Sequence, residues 1–132
     1  MQDKQQLMQD LLFKGFVERE ELVHGVKFVI KNINSEDQLL IEQEMSGTKG
    51  SSSFLVHTYQ KKVLTFTLIS VGEIKFKNRE EILDWLKTQS STIINLLIKK
   101  QAELEKELAT LVGTLKGEDV EDFSETLEST KD

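Results

Sequence analysis

The residues with the strongest claim to chemistry in this 132-residue chain are His24, His57, the loop Gly47-Thr48-Lys49-Gly50-Ser51 and the acidic run Glu118–Asp122. Catalysis needs a nucleophile, a base or a metal held in a defined geometry. His24 stands in a predicted turn and His57 near the start of a predicted helix. Neither has His, Cys or acidic neighbours at metal-ligand spacing, so each reads as a surface or packing residue. The loop has the small residues and the lysine of a phosphate cradle, yet it misses the G-x-x-x-x-G-K-[ST] spacing and reads as a connector. Glu118, Asp119, Glu121 and Asp122 lack the alternating oxygen ligands and central glycine of a calcium loop. Cysteine is absent, which excludes disulfides and thiolate metal sites. These readings predict a protein that is not an enzyme, carries no cofactor and works by binding other proteins.

One pattern fits that task. Ile94, Leu97, Gln101, Leu104, Leu108, Leu111 and Leu115 step alternately by three and four residues, a heptad seam with a single polar member. At about 1.5 Å per residue the seam would extend roughly 32 Å. Lys99, Lys100, Glu103, Glu105, Lys106 and Glu107 flank it, and Lys100 and Glu105 fall where paired parallel helices form a cross-strand salt bridge. Two uses are open. The seam packs on the chain's own core, or its distal half (Leu104, Leu108, Leu111, Leu115) projects and holds a protein partner or a second copy of the chain.

The elements that would carry this seam are legible in outline. Leu7, Met8, Leu11 and Leu12 predict a short amphipathic helix over Asp3–Phe13, ended near Gly15. Phe16–Val23 and Val26–Lys31 flank His24-Gly25 and predict a β-hairpin over about 16–31. A capping box at Ser35 and Gln38 opens a helix to about Met45. Phe54–Val71 is ambiguous: Leu55, Tyr59, Val63, Phe66 and Ser70 keep a helical stripe, while Thr65, Thr67, Ile69 and Val71 carry β propensity. It reads as one buried helix, being too long for a typical strand. Glu73–Phe76 adds a short strand. A second capping box, Asn78 with Glu81, opens a helix through Trp85, and Ser90 or Ser91 caps the long amphipathic helix over about 91–115. The fold class expected is α+β: an N-terminal hairpin with four or five helices, and a core of Phe28, Ile30, Leu40, Val63, Phe66, Ile82, Trp85, Leu86 and Leu97.

The charge is unevenly placed. The whole chain carries −6, and residues 117–132, with seven acids and one base, account for all of it. Residues 1–116 therefore read as one neutral globular domain, followed by an acidic tail expected to be disordered when unbound. A neutral body and an acidic tail offer no field for nucleic acid. No stretch approaches the roughly 18 apolar residues of a membrane span, and Met1–Asp10 lacks the basic-then-apolar pattern of a signal segment. A cytosolic address is expected.

The phrases KGFVEREELVHGVKF (Lys14–Phe28), DQLLIE (Asp37–Glu42), HTYQKKVLTFTLISVG (His57–Gly72) and the REE-x-x-x-WL helix from Arg79 follow one another in a particular order. In layout and phrase, over roughly residues 14–112, this resembles the small tail assembly chaperones and baseplate-hub assembly proteins of tailed phages. The resemblance implies a non-enzymatic assembly factor in the bacterial host cytoplasm that binds a tape-measure or baseplate protein. A structural subunit retained in the virion tail or baseplate is the alternative within that setting. An acidic regulatory or inhibitor protein that mimics nucleic acid is the alternative outside it.

Overall fold

Among the described residues, five short polar side chains set where the helices begin. In the computed structural model, which describes residues 3–113, Asp3, Asn34, Ser51, Asn78 and Ser90 each accept a backbone N–H from the first turn. Each thereby satisfies one of the donors a helix start leaves unpaired. They open α1 (Lys4–Phe13), α2 (Ser35–Met45), α3 (Ser52–Thr67), α4 (Arg79–Lys87) and α5 (Ser91–Leu111). The cap of α2 is Asn34, whose Oδ1 lies 2.7 Å from the Asp37 amide, one residue ahead of the expected Ser35. Asn78 and Ser90 cap as the sequence predicts.

The hairpin forms as β1 (Glu18–Val23) and β2 (Val26–Lys31), closed by His24 (φ 49°) and Gly25 (φ 83°). Two successive positive φ values make the twist-matched two-residue turn. The hairpin is half of a larger sheet. β3 (Leu68–Val71) and β4 (Ile74–Lys75) complete four antiparallel strands in the order β1-β2-β3-β4. The fold is thus α+β, with the long helix at its C-terminal side.

The strand β3 corrects the expectation of one helix across Phe54–Val71. The helical stripe holds through Phe66, then the chain turns extended at Leu68 and pairs Leu68 with Ile30, Ser70 with Val29 and Val71 with Phe28. No glycine or proline marks the change. Pairing with β2 satisfies the backbone there and lets Leu68 and Ile30 pack together in the core, and this tertiary gain outweighs a local pattern that also fits a helix.

Register puts Val23, Phe28, Ile30 and Val71 on one face of the sheet, while Glu20, Leu22, Lys27 and Lys75 lie on the other and are exposed. The first face meets Leu64, Leu86, Leu97 and Leu104 in the main core. Of the predicted core, Leu40 is exposed on α2, where Ile41 is buried instead, and Phe66 and Trp85 are half-buried. Trp85 rests edge-on against Phe76 at 5.7 Å between ring centroids. The expectation of a disordered tail over 117–132 lies outside the described residues.

Candidate functional site

The heptad seam on α5 is used internally. Leu104 and Leu108 are buried at 0% and 5% exposure in the main core, together with Ile94 and Leu97. Leu111 is half-buried against the same core, and Leu115 lies outside the described residues. As the chain is folded, Leu104 and Leu108 do not reach a partner. Of the two uses the sequence left open, internal packing is the one these two residues follow.

The polar break in the seam has a specific occupation. Gln101 is buried, and its Nε2 donates to Glu105 Oε2 (2.6 Å) and reaches Lys31 O (3.4 Å). The same Glu105 oxygen accepts the Ile33 backbone N–H at 2.8 Å. Where β2 leaves the sheet its peptide groups lose ladder partners, and buried peptide groups must find others. Gln101 and Glu105 supply them from α5, and Asn32 Oδ1 does the same for the Val17 amide at 2.7 Å. Glu105 therefore turns inward and is not an exposed flank residue poised for a second helix. Lys100 pairs with Glu21 of β1 (3.7 Å), and Arg19 of β1 pairs with Glu107 of α5.

Burial pushes the Glu105 carboxyl above its ordinary range, against the opposing pull of the Ile33 N–H and Gln101. A carboxyl whose folded-state pKa exceeds its unfolded value costs stability when ionised. That cost is full above the folded-state pKa and fades as pH falls through it. Glu105→Gln keeps an oxygen for both donors and never ionises. Its melting temperature should equal or exceed that of the native protein at pH 7, with the gap closing below about pH 4. A variant several degrees less stable at pH 7 would mean that the charge itself is needed.

A second polar cluster joins three helices. Arg79, the first residue of α4, places Nη1 and Nη2 at 2.5 and 2.8 Å from the two Glu44 oxygens of α2 and Nε at 2.8 Å from Thr65 Oγ1 of α3. Its guanidinium lies 4.0 Å from the centre of the Phe66 ring, and Lys62 reaches Glu44 at 3.1 Å. A cation at a helix N-terminus opposes the helix dipole, and the Glu44 carboxylate offsets that. The Arg79 hydrogen bonds hold Glu44 down to about 2, from an ordinary 4.5. A depressed carboxyl contributes stability above its unfolded pKa and loses it as pH falls through the folded value. The native protein should therefore lose melting temperature between about pH 4.5 and 2, and Glu44→Gln should flatten that limb while melting lower at pH 7. Parallel acid limbs for the two proteins would refute this.

One open surface lies beside β1. Asp10, Lys14, Phe16, Glu18, Arg19, Glu20 and Glu107 line an open cleft of about 1010 Å³. Its walls are thus the C-terminal turn of α1, the strand itself and α5. Next to this lining on α1, Leu12 and Phe13 stand in solvent at 67% and 83% exposure. The stripe of Leu7, Met8, Leu11 and Leu12 predicts a packed Leu12, but only Leu7 is buried and Leu11 is half-buried. The signal for the site was available in the spread of apolar residues around α1, where a single stripe cannot hold Leu11, Leu12 and Phe13 together. His24 sits in the hairpin turn, and His57 Nε2 lies 3.1 Å from Asn95 Oδ1, tying α3 to α5. Among the described residues no three His, Asp or Glu side chains group as a metal site, and no helix is long and apolar enough to cross a membrane. No family model matches the chain, and neither a curated protein nor a solved structure matches it.

Proposed function

We propose that this chain is a non-enzymatic protein-binding module that serves phage tail or baseplate assembly in the bacterial host cytoplasm, holding a tape-measure or baseplate protein. The observation that supports binding is the pair Leu12 and Phe13, left in water beside the cleft along β1. Contiguous exposed apolar surface on a monomer marks sites of protein contact. The assembly setting is supported by the order of sequence phrases from Lys14 to the Arg79 helix. The contact face assigned is α1 with β1, in place of the seam residues Leu104 and Leu108.

The test is co-expression with the tape-measure and baseplate proteins of the same phage, followed by size-exclusion chromatography. A stable complex is expected, and Leu12→Asp with Phe13→Asp should abolish it while moving the melting temperature by only a few degrees. A complex that survives the double substitution removes this face from the proposal, and no complex with either protein class removes the assembly role. Mass spectrometry of purified particles separates a factor that leaves from a subunit that stays: peptides of this chain at stoichiometric level would make it a structural component.

A further inference from the structure

We infer that the free edge of β1 is a strand-addition site for an extended basic segment of a partner protein. The inference deepens the protein-binding reading and rests on it. β1 and β4 are the two edges of the sheet, and they differ in length: β4 has two residues and β1 has six. A short edge is a common protection against unwanted pairing, and a six-residue edge extends about 20 Å without it.

The register tells which backbone groups face outward. A two-residue turn makes Val23 and Val26 a hydrogen-bonded pair, and every second pair along the ladder repeats this. Arg19, Glu21 and Val23 thus direct their N–H and C=O groups to β2. Glu18, Glu20 and Leu22 direct theirs to the open side. Lys27, the partner of Leu22, confirms the phase from the far side of β2, because its carbonyl accepts the Gly72 amide at 2.8 Å, toward β3. The cleft of about 1010 Å³ is lined by Glu18, Arg19 and Glu20, residues from both faces of the strand, so it borders the first half of this open edge.

Charge selects the occupant. The cleft lining holds four acids and two bases, and both bases are engaged, Lys14 with Asp10 and Arg19 with Glu107. Glu18 has no ion-pair partner among the described residues, and the Glu20 pair with Lys27 (3.4 Å) is mostly exposed. A second copy pairing antiparallel about Glu20 would set Glu20 against itself, and like charges directly opposite destabilise a ladder. The chain's own segment 117–132 carries −6 and is repelled by the same glutamates. A strand with Lys or Arg at alternate positions meets Glu18 and Glu20 and turns its other side chains toward the cleft. This is β-augmentation, in which backbone bonds hold the peptide and alternate side chains select it.

The probe is a capped ten-residue peptide alternating Lys and Val, titrated into the full chain, with an alternating Glu and Val peptide as control. Hydrogen exchange read by NMR should slow at least tenfold at the Glu18, Glu20 and Leu22 amides at saturation, with little change at Arg19, Glu21 and Val23. Glu20→Pro removes an outward N–H that β2 does not use, a position where an edge strand tolerates proline. It should weaken the peptide at least tenfold, as should Glu18→Lys with Glu20→Lys. Absence of binding by the Lys peptide overturns the inference. So does binding without the alternating protection, a readout on the native chain that stands even where the proline variant fails to fold. Equal binding of the Glu peptide overturns it too. A tail-protein complex indifferent to Glu20→Pro would sink the edge site and leave the binding module standing. Alternating protection by the peptide with no tail protein held would do the reverse.

Discussion

Leu108→Glu is expected to abolish the cooperative unfolding transition or lower the melting temperature by about 15 °C or more. Leu108 is 5% exposed in the same core as Leu104 and Leu97. A carboxylate there would sit in a cluster of apolar side chains, and a buried unpaired charge belongs to the short list of changes that cost more than about 4 kcal/mol. Domains of this size have roughly 5–15 kcal/mol in total. The control lies on the same helix end: Val112 is 44% exposed, and Val112→Glu should stay within about 0.5 kcal/mol of the native protein. Thermal melts by circular dichroism decide the matter. A Leu108→Glu protein that melts like the native one would mean that the distal turns of α5 stand away from the core, as the projecting reading of the seam requires.

Leu68→Ala should cost about 2–5 kcal/mol, the range for deleting a buried leucine side chain beyond Cβ. Leu68 is 2% exposed and opposes Ile30, which is fully buried, across the β2–β3 ladder. The substitution leaves a void between sheet and helices that close-packed neighbours cannot fill without strain. Leu40→Ala, on the solvent side of α2 at 42% exposure, should cost under about 1 kcal/mol. Chemical denaturation of the two variants beside the native protein measures the difference. Equal costs at both positions would contradict the strand at Leu68–Val71 and favour the uninterrupted helix that the local pattern suggests.

Local rules settled much of this protein. The His24-Gly25 turn, the hairpin around it and the caps at Asn78 and Ser90 follow from backbone sterics and short-range hydrogen bonds, which act within a few residues and are written in the sequence. The apolar seam on α5 was equally legible as a pattern, because a helix repeats every 3.6 residues whatever it packs against. Its destination was not. Whether Leu104 and Leu108 face a partner or their own sheet depends on β2 arriving beneath them, and contacts between residues more than seventy positions apart leave no periodic trace. The same holds for Gln101 and Glu105, whose partners are the backbone of Lys31 and Ile33, and for Arg79 and Glu44, which meet only because α2 and α4 both border α3. The break of α3 at Leu68 was masked for a related reason: the helical stripe runs on to Ser70 although Thr67, Ile69 and Val71 favour a strand, and pairing with a distant strand chose between them. The candidate site divides between the two: the spread of apolar residues around α1 marks Leu12 and Phe13 in the sequence, while the cleft beside them belongs to this second class. An unpaired edge is a property of strand order, so only the assembled sheet could show that β1 ends it and that α1 and α5 leave a cleft alongside.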